Sequence, residues 1–419
     1  MSGEIRVAIV GCGGITSAHL NGMRTLQRNG LDEVRVTVLC SRDPENAARY
    51  NDRNDAPPPL PEIVPGKADP LNIRDVYVTD LEPHVPARIS MDWRDAVAAP
   101  DVDAVLVLAS VDVHHAIALG GLTAGKHVMI EKPFAITVRA ARRVCELAEE
   151  RELSLGVAES LRFRPETRAT RWALDAGHVG DLEMVVQMSI GSVWSPDKIV
   201  GKTAWRHQKY STGSGILMDI GAHVFDKVRY LCGEPDEVTG MVRTIEPLRT
   251  TRDAAGTIVE KVSCSVEDTA FATMSFLNGA VGSFGMSWAG HGQPTEVSAG
   301  MVLYGDMGCV KDGRVYSDHA GVLSLMDEFE LKVGFDQRER WFPCGIIDPF
   351  ALELHEFFRA IREARQPETS GEEGLRDIAL GYAIIESSVR GETVSFADIE
   401  ACRIETYQRA INDHLNVRS

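Results

Sequence analysis

An apolar strand, a glycine-rich turn and a helix follow one another at the start of the chain, and this order constrains the fold more than any other feature. Residues 5–10 form a short apolar run, and Gly11, Gly13 and Gly14 come directly after it. A helix-compatible segment continues over residues 16–26. In a dinucleotide-binding βαβ unit, the first glycine permits a tight turn and the second lets a pyrophosphate approach the backbone at the helix N-terminus. The sequence therefore predicts a dinucleotide site at this turn.

The turn departs from the usual fingerprint at one position. Thr16 stands where the pattern G-x-G-x-x-G carries a final glycine or alanine. The glycines alone are a weak signal, but their place after a strand and before a helix is the context that the motif requires. We expect dinucleotide binding here, against the alternative of an ordinary glycine-rich turn.

Strand and helix patterns alternate over the next hundred residues. Strands are predicted at residues 34–39, near 89, at 101–108 and at 127–130, and helices at 116–124 and 140–150. Such alternation is typical of a doubly wound parallel sheet with right-handed crossovers. We therefore expect an N-terminal α/β Rossmann domain over residues 1–155.

A proline-rich segment interrupts this alternation. Residues 51–88 contain eight prolines and no sustained periodicity. The segment resembles a long insertion, and loops of this length are usually functional or disordered. A surface excursion without a role and a lid or subunit-contact arm both stay open.

The second half of the chain has a different pattern. Short strands are predicted at residues 184–190, 269–276, 282–288, 302–304 and 308–310, and helices around residue 358 and over 375–388. The turn Asn278-Gly279 predicts a hairpin between two of these strands. Strands that follow one another through turns favour an open, largely antiparallel sheet. We expect residues 156–419 to form an α+β domain for substrate binding and oligomerisation.

Composition excludes several classes of function. The 419 residues carry a net charge of −17, whereas nucleic-acid binding needs a basic surface. No apolar run approaches the ~20 residues that span a bilayer, and the N-terminus has no signal-peptide pattern. The eight cysteines form no C-x-x-C pair and no metal-ligand spacing. We expect a cytoplasmic protein with reduced thiols and no metal, membrane or nucleic-acid partner.

The segment Gly215–His223 places a carboxylate and an imidazole four residues apart. If the segment is helical, Asp219 and His223 project from the same face, one turn apart. An imidazole titrates near neutrality and is suited to take a proton from an alcohol, while a neighbouring carboxylate orients the substrate. The pair is therefore a candidate acid/base site.

The tripeptide Glu131-Lys132-Pro133 follows the strand predicted at residues 127–130. Open α/β sheets bind ligands outside the carboxyl ends of their strands. Lys132 therefore points into the expected crevice, against the alternative of a solvated lysine beside a structural proline.

Taken together, these motifs resemble the glucose-fructose oxidoreductase / inositol dehydrogenase / rhizopine catabolism (Gfo/Idh/MocA) family. The resemblance covers nearly the whole chain except the proline-rich insertion and the last ~20 residues. The matching segments are Gly11–His19, Asp101–Val105, Ala124–Pro133, Arg162–Pro165, Trp205–Arg206, Gly215–His223, Glu267–Ala270 and Ser370–Gly374.

The resemblance implies the roles of individual residues. Lys132 would contact the nicotinamide ribose and the reacting oxygen, Asp219 would hold the substrate, and His223 would be the acid/base. These three are the predicted catalytic residues. The predicted cofactor contacts are Gly11, Gly13, Gly14, Ile15, Ser41, Arg42, Ala109, His114, Glu131, Lys132, Trp205 and Arg206.

The end of the second strand departs from the family pattern. An aspartate often stands there for the adenosine ribose, whereas this chain has Cys40-Ser41-Arg42-Asp43. Ser41 and Arg42 can receive a 2′-phosphate, which slightly favours NADP, but Asp43 can reach a ribose and keeps NAD open. The family's Gly-Tyr-Asn is replaced by Ala158-Glu159-Ser160, which leaves the polar Ser160 as the residue that could serve as the cofactor contact there.

The expected function is NAD(P)-dependent hydride transfer to or from a hydroxyl-bearing carbon of a sugar, polyol or sugar derivative. The segment 192–210 is expected to line the substrate site. An alternative with the same residues is glycoside cleavage through transient oxidation, with catalytic NAD. A third hypothesis is a regulator that binds the dinucleotide without turnover. It is disfavoured because such a protein typically lacks part of the catalytic set, whereas Lys132, Asp219 and His223 are all present. The resemblance also implies a homodimer or homotetramer.

Overall fold

The strand, turn and helix predicted at the N-terminus begin the computed structural model. It describes residues 3–31, 34–58, 73, 75–82, 85–191, 203–253, 255–290, 293–296 and 300–417. Residues 59–72 of the proline-rich insertion lie outside the described residues. The hypotheses of a lid or a subunit-contact arm for this insertion therefore stay open. Residues 192–202 of the segment expected to line the substrate site also lie outside the described residues.

The chain divides into two units by its internal contacts. The first unit contains Met1–Ala135, Ala140–Phe163 and Phe342–Gly374, and the second contains Ile136–Arg139, Arg164–Trp341 and Leu375–Ser419. These limits differ from the predicted domains in three places. Ile136–Arg139, expected in the first domain, belongs to the second unit. The first unit extends past residue 155 to Phe163, and it also includes a C-terminal segment that was expected in the second domain.

A six-stranded parallel sheet forms the centre of the first unit, as predicted. Its strands run in the order β3-β2-β1-β4-β5-β6, and β4 and β6 are buried along their whole length. Parallel strands are buried in this way when helices cover both faces of the sheet. The elements are β1 (Ile5–Val10), α1 (Thr16–Arg28), β2 (Val34–Cys40), α2 (Pro44–Ala48), β3 (Arg88–Ser90), α3 (Trp93–Val97), β4 (Ala104–Val107), α4 (His114–Thr123), β5 (His127–Glu131), α5 (Val138–Glu150) and β6 (Leu155–Ala158).

The remaining elements complete the chain. The first group is α6 (Pro165–Asp175), β7 (Leu182–Ile190), α7 (Lys209–Thr212), α8 (Ile216–Asp219), α9 (Gly221–Cys232), β8 (Pro235–Arg243), β9 (Leu248–Arg252), β10 (Ile258–Ser263), β11 (Thr269–Phe276), β12 (Val281–Ser287) and β13 (Thr295–Glu296). The second group is β14 (Val302–Gly305), β15 (Gly308–Lys311), β16 (Arg314–Ser317), β17 (Gly321–Ser324), α10 (Leu325–Lys332), α11 (Phe335–Trp341), α12 (Pro349–Arg362), α13 (Gly371–Arg390), β18 (Val394–Ser395), α14 (Phe396–Glu400) and α15 (Arg409–Leu415).

The second unit contains a large mixed sheet. Its strand order is β17-β16-β15-β14-β7-β12-β11-β8-β18, with β13 also paired to β7. The hairpin predicted at Asn278-Gly279 joins β11 and β12 in antiparallel register. Neighbours in this order are antiparallel except β7 and β12, which are parallel. The expectation of an open, largely antiparallel sheet is therefore confirmed.

One face of this sheet exposes apolar side chains. In β11, Ala270, Ala272 and Met274 are buried, whereas Phe271 between them is 43% exposed. Strand side chains alternate between faces, so the exposed residues of neighbouring strands lie on one side. This surface is called the open sheet face below, and its exposed apolar members are Met184, Met241, Phe271, Val281, Tyr304, Tyr316 and Val322.

Helix α12 packs against α1 in the first unit. A methyl group at Gly22 of α1 would lie 3.0 Å from backbone and side-chain atoms of α12, so the two helices approach closely at this glycine. Leu354, Phe358 and Ile361 of α12 are buried, as their helical spacing predicts. The C-terminal part of the chain therefore completes the core of the N-terminal unit.

Within the ranges given above, the structure contains no helix with both the length and the apolar character required to cross a membrane. The same residues contain no cluster of His, Cys, Asp and Glu side chains suited to a metal ion. All eight cysteines are free thiols, and burial raises the pKa of Cys12 to about 12.

Candidate functional site

The glycine-rich turn is closely packed at its first glycine and open at its second. Gly11 has a φ of +103°, and its N–H donates to the carbonyl of Cys40 at 2.8 Å. A Cβ atom on Gly11 would lie 2.4 Å from backbone atoms of Leu108 and Ala109, whereas one on Gly13 would meet no atom of the described residues within 4 Å. The space beside Gly13 is the one that a pyrophosphate requires in a dinucleotide-binding turn.

The N-terminus of α1 suits an anion. Within the described part of the chain, no side chain caps the helix at Ile15. The hydroxyl of Thr16 donates to the carbonyl of Gly11 at 3.2 Å, and that of Ser17 donates to the carbonyl of Gly14 at 2.9 Å. These bonds explain how the turn accommodates Thr16 at the position where the fingerprint has glycine or alanine. A helix N-terminus without a side-chain cap attracts phosphate through its N–H groups and its dipole. The turn therefore fits the diphosphate of a dinucleotide.

Two charged residues follow β2, the cation Arg42 and the carboxylate Asp43. Only the carboxylate has a hydrogen-bond partner among the described residues. Asp43 caps α2, because its carboxylate accepts the N–H of Glu45 at 3.0 Å. Arg42 is exposed and forms no ion pair with another described residue. The guanidinium thus faces solvent at the end of the strand, where dinucleotide-binding proteins select between ribose and 2′-phosphate.

Lys132 lies directly after β5, and the preceding glutamate is held on both oxygens. Glu131 receives one contact from the buried ring of His19, Nε2 to Oε1 at 2.9 Å. Its other oxygen accepts the backbone N–H of Lys132 at 3.0 Å. The Lys132–Pro133 peptide bond is cis. The carboxylate therefore joins α1 to the backbone of the predicted catalytic lysine.

His114 is buried and contacts two backbone carbonyls. Its Nδ1 lies 3.0 Å from the carbonyl oxygen of Pro133, and its Nε2 lies 2.9 Å from that of Ala109. Burial lowers the pKa of this imidazole, which favours the neutral ring at physiological pH. The two ring nitrogens therefore face the carbonyls of Pro133 after β5 and Ala109 after β4, and the neutral ring donates to one of them.

In the second unit, Asp219 and His223 lie on consecutive helical segments. Asp219 ends α8, Ile220 has helical angles of φ −90° and ψ −37°, and α9 begins at Gly221. The Ile220 N–H donates to the carbonyl of Ile216, and the Val224 N–H donates to that of Ile220. Helical hydrogen bonds therefore cross the junction, and the one-turn spacing predicted for Asp219 and His223 is kept in the backbone.

A buried carboxylate holds the start of this helical segment. Glu267 accepts the Ser214 hydroxyl at 2.6 Å, the Gly215 N–H at 2.9 Å and the Leu217 N–H at 3.2 Å. Burial raises the pKa of Glu267. A Cβ atom on Gly215 would lie 1.8 Å from the Glu267 carbonyl oxygen, so this close approach requires glycine. Glu267 therefore satisfies the N–H groups that open the segment carrying Asp219 and His223.

Trp205, Arg206 and Asp219 form one group in the second unit. The guanidinium of Arg206 lies over the Trp205 ring, 4.2 Å from its centroid. Its Nε donates to Asp219 Oδ2 at 3.1 Å. Arg206, a predicted cofactor contact, therefore orients the carboxylate of Asp219, which is predicted to hold the substrate. Arg206 is itself held over the ring of Trp205, the second predicted cofactor contact of this group.

Sequence reasoning assigned no role to two residues of these groups. His19 falls at helical spacing with the buried residues Thr16, Met23 and Leu26 of α1, and a histidine on an apolar helix face is the signal that marks it. Glu267 appears in the family-like segment 267–270, but no local pattern pairs it with Gly215, because 52 residues separate them.

The predicted site residues fall in both units. Glu131, Lys132, Ala109 and His114 belong to the first, together with the glycine-rich turn, Ser41 and Arg42. Trp205, Arg206, Asp219 and His223 belong to the second. Ser160, at the position of the family asparagine, is buried at the start of a 3₁₀ turn. The roles of all these residues stay predictions.

Comparison with known proteins gives matches over most of the chain. Residues 5–159 match the family described as oxidoreductase family, NAD-binding Rossmann fold, and residues 167–311 match the GFO/IDH/MocA C-terminal domain. Levoglucosan dehydrogenase of Pseudarthrobacter phenanthrenivorans is 27% identical, over 74% of this chain and 84% of the relative. The 1,5-anhydro-D-fructose reductase of Ensifer adhaerens is 27% identical, over 73% and 82%. A solved levoglucosan dehydrogenase in complex with NADH has the same fold, with a TM-score of 0.69 and 22% identity, over 94% of this chain and 99% of that one.

Proposed function

Because the chain belongs to the Gfo/Idh/MocA family of NAD-binding oxidoreductases, we propose that it transfers a hydride between a nicotinamide cofactor and a hydroxyl-bearing carbon of a sugar, polyol or sugar derivative. The relatives support the substrate class most strongly. Two of them are named for sugar-derived substrates, and the chain covers more than four fifths of the length of each. The open space beside Gly13 and the uncapped start of α1 support the cofactor.

We propose that Lys132, Asp219 and His223 carry the chemistry. The bound nicotinamide supplies a hydride acceptor or donor. In the oxidative direction, the substrate hydroxyl gives its proton to an imidazole nitrogen of His223, and the Lys132 ammonium places positive charge beside the oxygen as alkoxide character develops. Asp219 accepts a hydrogen bond from a substrate hydroxyl and so fixes the reacting carbon. The Arg206 guanidinium supports this role, because its hydrogen bond to Oδ2 orients the Asp219 carboxylate.

A substrate screen tests the proposed function. The purified protein is mixed with NAD or NADP and with a panel of sugars, anhydrosugars, inositols and sugar acids, and the absorbance of the reduced nicotinamide is followed. We expect stoichiometric reduction of cofactor with at least one member of the panel. Cleavage of a glycoside with only catalytic cofactor would show the redox-recycling reaction instead. Tight NADH binding without turnover on any substrate would favour the regulator.

Cofactor choice depends on Arg42 in this proposal. The exposed guanidinium is suited to a 2′-phosphate, while the Asp43 carboxylate caps α2. Arg42→Asp is expected to weaken NADPH binding about ten- to a hundredfold, because a hydrogen bond to a charged group contributes ~1.5–3 kcal/mol. NADH binding should change little. Titrations of both reduced cofactors by fluorescence measure the two dissociation constants.

A matched charge change serves as the control for Arg42. Arg28 is exposed at the last residue of α1, about 18 Å of helix away from the glycine-rich turn. Arg28→Asp should leave both dissociation constants at their original values. Equal weakening of NADH and NADPH by Arg42→Asp, or no weakening of either, would contradict the assignment of Arg42 to the 2′-phosphate.

We also propose that the protein is a homodimer or homotetramer that buries the open sheet face. Contiguous exposed apolar side chains of this extent mark interaction surfaces.

Met241 and Phe271 are cross-strand neighbours on β8 and β11. Changing both to glutamate is expected to lower the mass measured by light scattering to that of a smaller species. Val259→Glu, at an exposed position of β10 in a separate strand pair, should leave the mass unchanged. An unaltered mass for the double variant would contradict this interface.

A further inference from the structure

Two buried histidines contact the Glu131–Lys132–Pro133 segment at its two ends. His19 of α1 contacts the Glu131 side chain, and His114 of α4 contacts the Pro133 carbonyl. Both rings are almost completely buried, at 0% and 1% exposure. All of these residues belong to the first unit. One imidazole therefore contacts the residue before the predicted catalytic lysine, and the other contacts the residue after it.

The contact of His19 has a defined direction. When Glu131 is ionised it only accepts hydrogen bonds, and Nε2 of His19, 2.9 Å away, is then the donor. The second oxygen of the same carboxylate accepts the Lys132 N–H at 3.0 Å. The His19 ring packs against Phe350 of α12 in a T-shaped arrangement, at a centroid distance of 5.4 Å. The orientation of the Glu131 carboxylate, and of the lysine backbone bonded to it, therefore depends on His19.

The contact of His114 connects two strand ends. One ring nitrogen faces the carbonyl of Pro133 after β5, and the other faces the carbonyl of Ala109 after β4. Burial favours the neutral ring, which donates to one of these carbonyls and stays in contact with the other. Both ring nitrogens lie against backbone carbonyls, and the residue is 1% exposed. Its contacts serve the segment that carries Lys132.

We propose that His19 and His114 are positioning residues, a histidine clamp that fixes Lys132 through Glu131 and Pro133. The inference rests on the proposed catalytic role of Lys132. It assigns a role to His19, which no sequence pattern had assigned, and it gives His114 a positioning role beside its predicted contact with the cofactor. Displacement of a catalytic group by about 1 Å costs roughly 10²-fold in rate, so the clamp is expected to act on kcat.

A spectroscopic test reads the position of Lys132 without any substrate. The lysines of the full-length protein are dimethylated with ¹³C-formaldehyde, and the Lys132 resonance is identified by its loss in Lys132→Arg. In His19→Leu and His114→Leu we expect this resonance to shift or broaden. His19→Gln keeps an N–H donor for Glu131 and should bring the resonance back towards its original position.

His115 offers a matched control on the same helix. It is buried next to His114, and its Nδ1 has no hydrogen-bond partner among the described residues. His115→Leu should lower the melting temperature as the other leucine variants do, while the Lys132 resonance stays in place. If His19→Leu and His114→Leu also leave the resonance unchanged and alter only the melting temperature, the two histidines are merely structural and the clamp is refuted.

The kinetic readout separates the clamp from the proposed function. With a substrate from the screen, His19→Leu and His114→Leu are expected to lower kcat about 10²-fold with little change in the Kd of NADH, and His19→Gln should recover part of the loss. A loss confined to cofactor affinity would overturn the proposal. If the screen finds no substrate, the proposed function fails, but the NMR experiment still decides whether the two histidines hold Lys132.

Discussion

Replacing His223 by alanine is expected to slow turnover about 10²–10⁴-fold, because a positioned general acid/base contributes a factor of this size. The loss corresponds to about 3–5 kcal/mol of transition-state stabilisation. The dissociation constant of NADH should change little, since the imidazole acts on the substrate proton and not on the dinucleotide. Steady-state kinetics with the best substrate of the screen, together with fluorescence titration of NADH, measure both quantities. Added imidazole should restore part of the activity.

His178 provides the control for this substitution. It is partly exposed like His223, lies in the same unit, and packs against Trp172 in a tilted arrangement at a centroid distance of 5.0 Å. His178→Ala should retain the turnover rate of the unmodified protein. If His223→Ala instead loses cofactor affinity and turnover in equal measure, His223 is not the acid/base and a place in the cofactor site would have to be considered.

Alanine substitutions at Gly11 and Gly13 of the glycine-rich turn are expected to have very different effects on the stability of the protein. Gly11→Ala should destabilise the protein by about 1–3 kcal/mol or more, because its φ of +103° is strained for alanine and its Cβ would overlap the backbone of Leu108 and Ala109. Gly13→Ala should leave the stability nearly unchanged, because its Cβ meets no atom of the described residues within 4 Å.

Dinucleotide binding distinguishes the same two variants. A methyl group at Gly13 would fill the space proposed for the pyrophosphate, and overpacking of this kind costs ~1–3 kcal/mol. The Kd of NADH should therefore rise roughly ten- to a hundredfold in Gly13→Ala while its melting temperature is kept. Thermal denaturation and fluorescence titration of both variants measure the two effects. Unchanged NADH affinity in Gly13→Ala would place the dinucleotide elsewhere.

Much of the fold follows from local patterns in the sequence. The strands β1, β2 and β5, the helix α1 and the hairpin β11–β12 were predicted with at most a residue or two of error, because each depends on apolar periodicity and turn residues that are contiguous in the chain. The family and the NAD-binding class were also predicted correctly, from motifs that are short and local. The parallel pairing of β7 with β12 was not foreseen, since nearly a hundred residues separate them.

The partners of the candidate site residues required the tertiary structure. The sequence by itself determined that Glu131 precedes Lys132 and that Gly215 precedes Asp219. Only the folded chain brought His19 to Glu131 from 112 residues away and Glu267 to Gly215 from 52 residues away. It also put α12 in the first unit against α1. The periodicity of the sequence indicates which face of a helix or strand is apolar. The hydrogen-bond donor to a buried carboxylate comes from a distant element that packs against it. No local sequence pattern specifies that donor.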